Sequence, residues 1–114
     1  MRDLGWLLLA KDFYGELLPS RQREAFELRW ERDLTLGEAA AALGVSRPGV
    51  ADLLRRAEAS LERYERALGL VERHRADRAD FDLLEKLTGE LGGPEGREIR
   101  AVVRRLAERG GRNL

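Results

Sequence analysis

Cysteine is absent from this 114-residue chain, histidine occurs once and serine three times. Without thiols there is no disulfide framework and no thiolate metal site, the pattern expected in a reducing cytoplasm. The one imidazole, His74, lies in a charged stretch with no second imidazole to share a metal, and reads as a surface residue. Nucleophilic catalysis needs a base oriented beside a hydroxyl or thiol. Ser20, Ser46 and Ser60 all read as helix caps or helix surface, so no triad is expected and the chain does not read as an enzyme. No cofactor loop is evident either: Gly92-Gly93-Pro94-Glu95-Gly96 lacks the following Lys-Ser/Thr of a phosphate loop and the strand before it. The carboxylates of Asp77, Asp80, Asp82 and Glu85 interleave with Arg75, Arg78 and Lys86, which is salt-bridged helix surface rather than a metal site. Long apolar runs are missing too. Trp6 to Ala10 is flanked by Asp3, Lys11 and Asp12 and is far too short for a membrane span, and no cleavable leader is recognisable. Stretches that alternate apolar and polar residues are absent, which removes β-structure.

What the chain does have is charge and helix formers. It carries 21 basic and 21 acidic residues, for a formal net charge of zero. That counts against a protein that grips DNA by charge alone, and any nucleic-acid footprint must be local. Residues 1–70 hold 11 basic and 12 acidic groups, and only the tail from Arg97 is lopsided, with six Arg against two Glu. Of the basic residues, 19 are Arg, which GC-rich coding alone would produce.

The expected fold is all-α. A first helix runs from about Asp3 to Leu18 and stops at Pro19; Ser20 caps a second that continues to about Arg32. The next segment has the grammar of a helix-turn-helix. Thr35 and Glu38 form a capping box that opens a helix from Leu36 to Leu43, small Ala40 stands where two helices cross, Gly44 stands in the turn and Ser46 caps the following helix. Ala39, Leu43, Val45, Val50 and Leu53 supply the shared core. The fourth helix meets no breaker until Gly69, much further than a recognition helix needs. Val50, Leu54, Ala57, Leu61, Tyr64 and Leu68 form a seam along it with alternating steps of four and three, to be covered by the chain itself or by a partner. A fifth helix from Val71 to about Leu91 starts polar and solvated, Gly92-Gly93-Pro94 ends it, and a sixth from Glu95 to Arg109 sets Ile99, Val102, Val103 and Leu106 on one face until Gly110-Gly111. The chain divides as 1–71, a helix-turn-helix domain with the long fourth helix, and 72–114, a C-terminal helical extension. Two apolar stripes, the seam and the face from Ile99 to Leu106, predict a two-fold homodimer.

In a helix-turn-helix the first turns of the second helix meet base edges. Here that means Ser46, Arg47, Pro48, Gly49, Ala51, Asp52 and Arg55, with Arg56 placed for phosphates and Arg21, Arg23 and Arg29 on the preceding helix for backbone contacts. Only Arg47 and Arg55 have the fork that reads guanine bidentately, and Asp52 suits a cytosine amine. Eight residues apart, Arg47 and Arg55 are expected to point outward together. The nucleic-acid candidates are thus Ser46, Arg47, Asp52, Arg55, Arg56, Arg21 and Arg23. A helix-turn-helix used only for docking to protein or ribonucleoprotein is the alternative.

Asp12-Phe13-Tyr14, Leu17-Leu18, Arg21-Gln22-Arg23, Leu34 to Ala40, Gly44-Val45-Ser46-Arg47, Arg55 to Glu58 and Tyr64-Glu65 through Leu68-Gly69-Leu70-Val71 resemble the YlxM family, over about residues 4–71 and fading beyond. The resemblance implies a helix-turn-helix similar to region 4 of sigma factors, DNA as the partner, and an accessory or regulatory role beside the signal recognition particle. Where the family carries Gln-Ala-Val-Tyr after the Ser-Arg pair, this chain has Pro48-Gly49-Val50-Ala51, which removes an amide and an aromatic from the reading face. The Arg-rich terminal helix looks like an addition.

Overall fold

The computed structural model describes residues 2–112, and six α-helices account for most of them. They fall into two compact units, divided after Gly69.

In the first unit, α1 (Leu4–Tyr14) starts at Asp3, whose carboxylate accepts the Trp6 N–H at 2.8 Å. It does not continue to Leu18: the helix tightens into a 3-10 turn at Gly15–Leu17 before Pro19. Next, α2 (Ser20–Phe26) begins with Pro19 in the N-cap position, so Ser20 is the first helical residue and its hydroxyl caps nothing. The sequence assigned the cap one residue late because a serine after proline imitates it. After Phe26 the helix swells into a π-turn, Glu27–Glu31, closed by the Arg32 N–H on the Glu27 carbonyl at 2.9 Å. The motif follows as α3 (Leu36–Leu43) and α4 (Arg47–Leu68).

The seam of α4 is covered within the chain, against α1, α2 and α3. Val50, Ala57 and Leu61 are fully buried and Leu54 and Tyr64 half-buried, while Leu68, 57 % exposed, falls off the end. Polar contacts fix its rotation. The Tyr14 hydroxyl donates to Glu65 at 2.7 Å, the Tyr64 hydroxyl to the Leu17 carbonyl at 3.0 Å, and the Ser60 hydroxyl to Gln22 at 3.4 Å. Lys11 adds a further tie within the unit, its ammonium 2.8 Å from Glu31 and 3.4 Å from Glu27 across to the π-turn.

That cluster sets a pH dependence. Burial works against the Lys11 charge, but hydrogen bonds and charge from Glu31 and Glu27 outweigh it and raise the ammonium above its ordinary 10.5. Burial likewise pushes the Glu27 carboxyl up, and the Arg23 and Lys11 hydrogen bonds overcome that and hold it below its ordinary 4.5. A raised lysine stabilises fully below its unfolded value and loses that contribution as pH rises through the folded one. A lowered carboxyl stabilises above its unfolded value and loses it as pH falls through the folded one. Urea midpoints between pH 3 and 7 should therefore fall more steeply towards acid in the wild type than in Lys11→Met; parallel curves would show that the cluster contributes nothing.

The second unit is a helical hairpin of α5 (Leu70–Thr88) and α6 (Gly93–Arg112). The fifth helix ends three residues earlier than the sequence suggested, and the sixth starts at Gly93 and runs through Gly110-Gly111. Two devices make the turn. Arg100 donates to the carbonyls of Thr88 at 2.8 Å and Leu91 at 2.7 Å, closing the C-terminal end of α5, and Gly96 lies so near the Leu91 carbonyl that a Cβ there would overlap it. Val103 is buried, whereas Leu83, Leu84 and Leu87 on α5, Leu91 in the link and Ile99, Val102 and Leu106 on α6 remain exposed. Most of the polar start of α5 is exposed as expected, but His74 is half-buried and not a plain surface residue. No helix among the described residues is long and apolar enough to cross a membrane, and no group of His, Asp or Glu among them is placed to hold a metal ion.

Candidate nucleic-acid interface

The turn between α3 and α4 is built by local chemistry. The Thr35 hydroxyl accepts the Glu38 N–H at 3.1 Å and the Glu38 carboxylate accepts the Thr35 N–H at 3.0 Å, so the capping box closes from both sides. That bond from the Thr35 backbone, followed by the one with its side chain, holds the Glu38 carboxyl below its ordinary range. At the other end Gly44 adopts φ 68°, ψ 33°, and its N–H and that of Val45 turn back to the carbonyls of Ala41 and Ala40. Ser46 then caps α4 by accepting the Gly49 N–H at 3.1 Å, with Pro48 in the first turn, where its missing donor costs nothing. Nothing lies within 4 Å of a Cβ built at Gly44, so a side chain there meets only backbone strain. Gly44→Val should cost about 1–2 kcal/mol in urea unfolding, and an unchanged midpoint would show that the turn tolerates a β-branched residue.

Beneath the turn, Ala39, Ala40 and Val50 form the buried core, with Leu28, Leu34, Leu43, Val45 and Leu54 packed on it. Leu54 takes the place expected of Leu53. From Val50 the step of four stays on the seam, and the step of three leaves Leu53 on its half-buried flank.

Of the predicted contact residues, Ser46, Arg47, Arg55 and Arg56 are exposed around the start of α4 and Asp52 is half-exposed. They do not stand as a single outward row. The Arg47 guanidinium folds back over α3, close enough to Gly37 that its Nε would lie 3.0 Å from a Cβ there. Asp52 holds both remaining arginines: Arg56 Nε is 2.9 Å from one carboxylate oxygen and Arg55 Nη2 is 3.5 Å from the other. Arg21 has a structural bond that the sequence did not reveal, donating to the Leu43 carbonyl at 2.9 Å at the end of α3, and it also lies 3.6 Å from Glu24. Arg23 pairs with Glu27 at 3.0 Å. Arg29 donates to the Leu34 carbonyl at 3.3 Å while its guanidinium sits 4.3 Å over the Trp30 ring.

The family model described as "Putative helix-turn-helix protein, YlxM / p13 like" matches residues 7–95. The chain belongs to the YlxM/p13-like helix-turn-helix family. It is 46 % identical over 84 residues to a UPF0122 protein of Thermoanaerobacter sp. (strain X514), covering 74 % of this chain and 72 % of that one. It is 38 % identical over 95 residues to YlxM of Bacillus subtilis (strain 168), 83 % and 84 % of the two chains. A UPF0122 protein of Desulforamulus reducens is 35 % identical over 113 residues, 96 % of this chain and 97 % of its own. The family match continues past Val71 through all of α5 and stops at residue 95, at the start of α6. No solved structure matches the chain at a significant level.

Proposed function

We propose that the chain is a DNA-binding helix-turn-helix protein that reads duplex DNA with the first half of α4. The observation that supports this is the Gly44 turn and Ser46 cap, which leave Arg47, Arg55 and Arg56 exposed on one helix. Arg47 and Arg55 are the base readers, Asp52 a cytosine acceptor, and Arg56 with Arg21 and Arg23 the phosphate contacts. The working unit is a two-fold dimer joined through the exposed apolar face of the α5–α6 hairpin, which two copies would bury as a four-helix bundle. Its cellular setting, from the family resemblance, is an accessory role at the signal recognition particle, in the cytoplasm.

Anisotropy titrations with a labelled duplex over a range of salt concentrations test the reading. Binding should weaken with salt, and Arg55→Gln with Arg56→Gln should flatten the log–log slope by about 1–2 units. Absence of salt-sensitive binding at low ionic strength would discard DNA. Sedimentation equilibrium tests the dimer: a mass fixed at 12.9 kDa across micromolar concentrations removes it.

A second reading, a protein or ribonucleoprotein adaptor on the same fold, is favoured by Asp52, whose carboxylate already pairs with Arg55 and Arg56 and offsets half of their charge. Co-purification with signal recognition particle components by a protein that binds no duplex would select it.

A further inference from the structure

The first unit contains a cavity of about 270 Å³ beside the interface, bounded by the π-turn, α1, α3 and α4. Its inner end is closed by Leu7 and Phe26, both buried, and towards solvent it is lined by Trp30, Leu36 and Leu54. The hollow exists for two local reasons. A π-turn widens the helix that carries Trp30, and such turns recur at functional sites. Opposite, α4 presents Ala51, a half-buried side chain too small to fill the space.

Two guanidinium groups and one carboxylate line this cavity: Arg29, Arg55 and Glu58, and one Glu58 oxygen accepts the Arg2 N–H at 3.1 Å. Each guanidinium has donors to spare: Arg29 spends one on the Leu34 carbonyl, and Arg55 has a 3.5 Å contact with Asp52 while its side chain is 70 % exposed. An apolar cavity of about 150 Å³ holds a benzene ring, so this one has room for a bicyclic aromatic.

We infer that this cavity is a binding site for a small aromatic carboxylate, its ring between Trp30, Leu36 and Leu54 and its carboxylate on Arg55 and Arg29. The ring supplies apolar burial and the guanidinium forks fix the anion. Because Arg55 also belongs to the proposed DNA-reading set, ligand and duplex would compete for it; that coupling rests on the DNA reading, while the site itself does not.

Titration of the full chain with indole-3-acetate, and separately with uncharged indole, decides it without any nucleic acid present. The indole N–H resonance of Trp30, assigned with Trp30→Phe, should shift with both probes, and the anion should bind about tenfold tighter. Ala51→Phe, which fills the hollow from α4, should abolish both shifts while the helical circular dichroism is retained. Arg55→Gln should bring the two probes to within about twofold of each other. No shift of Trp30 at millimolar probe, or unchanged binding by a folded Ala51→Phe, overturns the site. Equal affinity of the wild type for the charged and uncharged probes overturns the carboxylate assignment. Loss of duplex binding alone, with these shifts intact, would remove only the DNA reading.

Discussion

Shortening Leu61 to alanine will remove about 2–5 kcal/mol of stability. The side chain is fully buried in the middle of α4, flanked by the equally buried Ala57 and facing helices of its own chain. Tethers such as Tyr14 to Glu65 and Tyr64 to Leu17 keep α4 from sliding inward to fill the space. Most of the lost transfer energy should therefore appear together with the full cavity term. Urea unfolding of wild type and Leu61→Ala, each at two protein concentrations a hundredfold apart, provides the measurement. The difference between the two proteins should be the same at both concentrations. A difference that grows on dilution would mean that a second copy covers the seam.

The second large effect belongs to the hairpin. Gly96→Ala places a methyl group against the Leu91 carbonyl, a backbone obstacle that no rotamer change can clear. Either the start of α6 lifts away or the end of α5 moves, and both routes disturb the carbonyls that Arg100 holds. A loss of about 1–3 kcal/mol is expected for this unit. Amide hydrogen exchange reads it locally: protection of α6 should drop around residues 97–104. Unchanged protection would show that the Leu91 carbonyl has somewhere to go.

Local chemistry is what the sequence displays most openly. The capping box at Thr35 and Glu38, the left-handed Gly44 and the Ser46 cap each depend on residues at most four apart, and all three stand where the spacing puts them. The seam was legible for the same reason: one helix period places Val50, Ala57 and Leu61 on a single side. What covers it was not, because α1 and α2 reach it through contacts some 40 to 50 residues away. The π-turn left no trace either, since Glu27 to Glu31 has the composition of ordinary helix. Arginine was the hardest residue type to place. Arg21 and Arg29 look in sequence like phosphate ligands, and these two and Arg100 each spend a donor on a main-chain carbonyl at a helix end or a link. Composition counts charges, and only three dimensions show which are already occupied.

Under the proposed DNA reading, the carboxylate of Asp52 sets a limit on how this protein would find a duplex. With one carboxylate beside two guanidinium groups, α4 keeps only a small local excess of positive charge, and a chain of zero net charge adds no long-range attraction to it. A duplex approaching from a distance feels almost no pull. Encounters should then proceed at the unassisted rate, on the order of 10⁵–10⁶ M⁻¹s⁻¹, and not at the steered rates of basic DNA-binding proteins. Attraction begins only at contact, when phosphate displaces the aspartate from its arginines. On that reading such a surface would dwell little on arbitrary DNA, and where the protein resides would govern its occupancy more than how fast it searches.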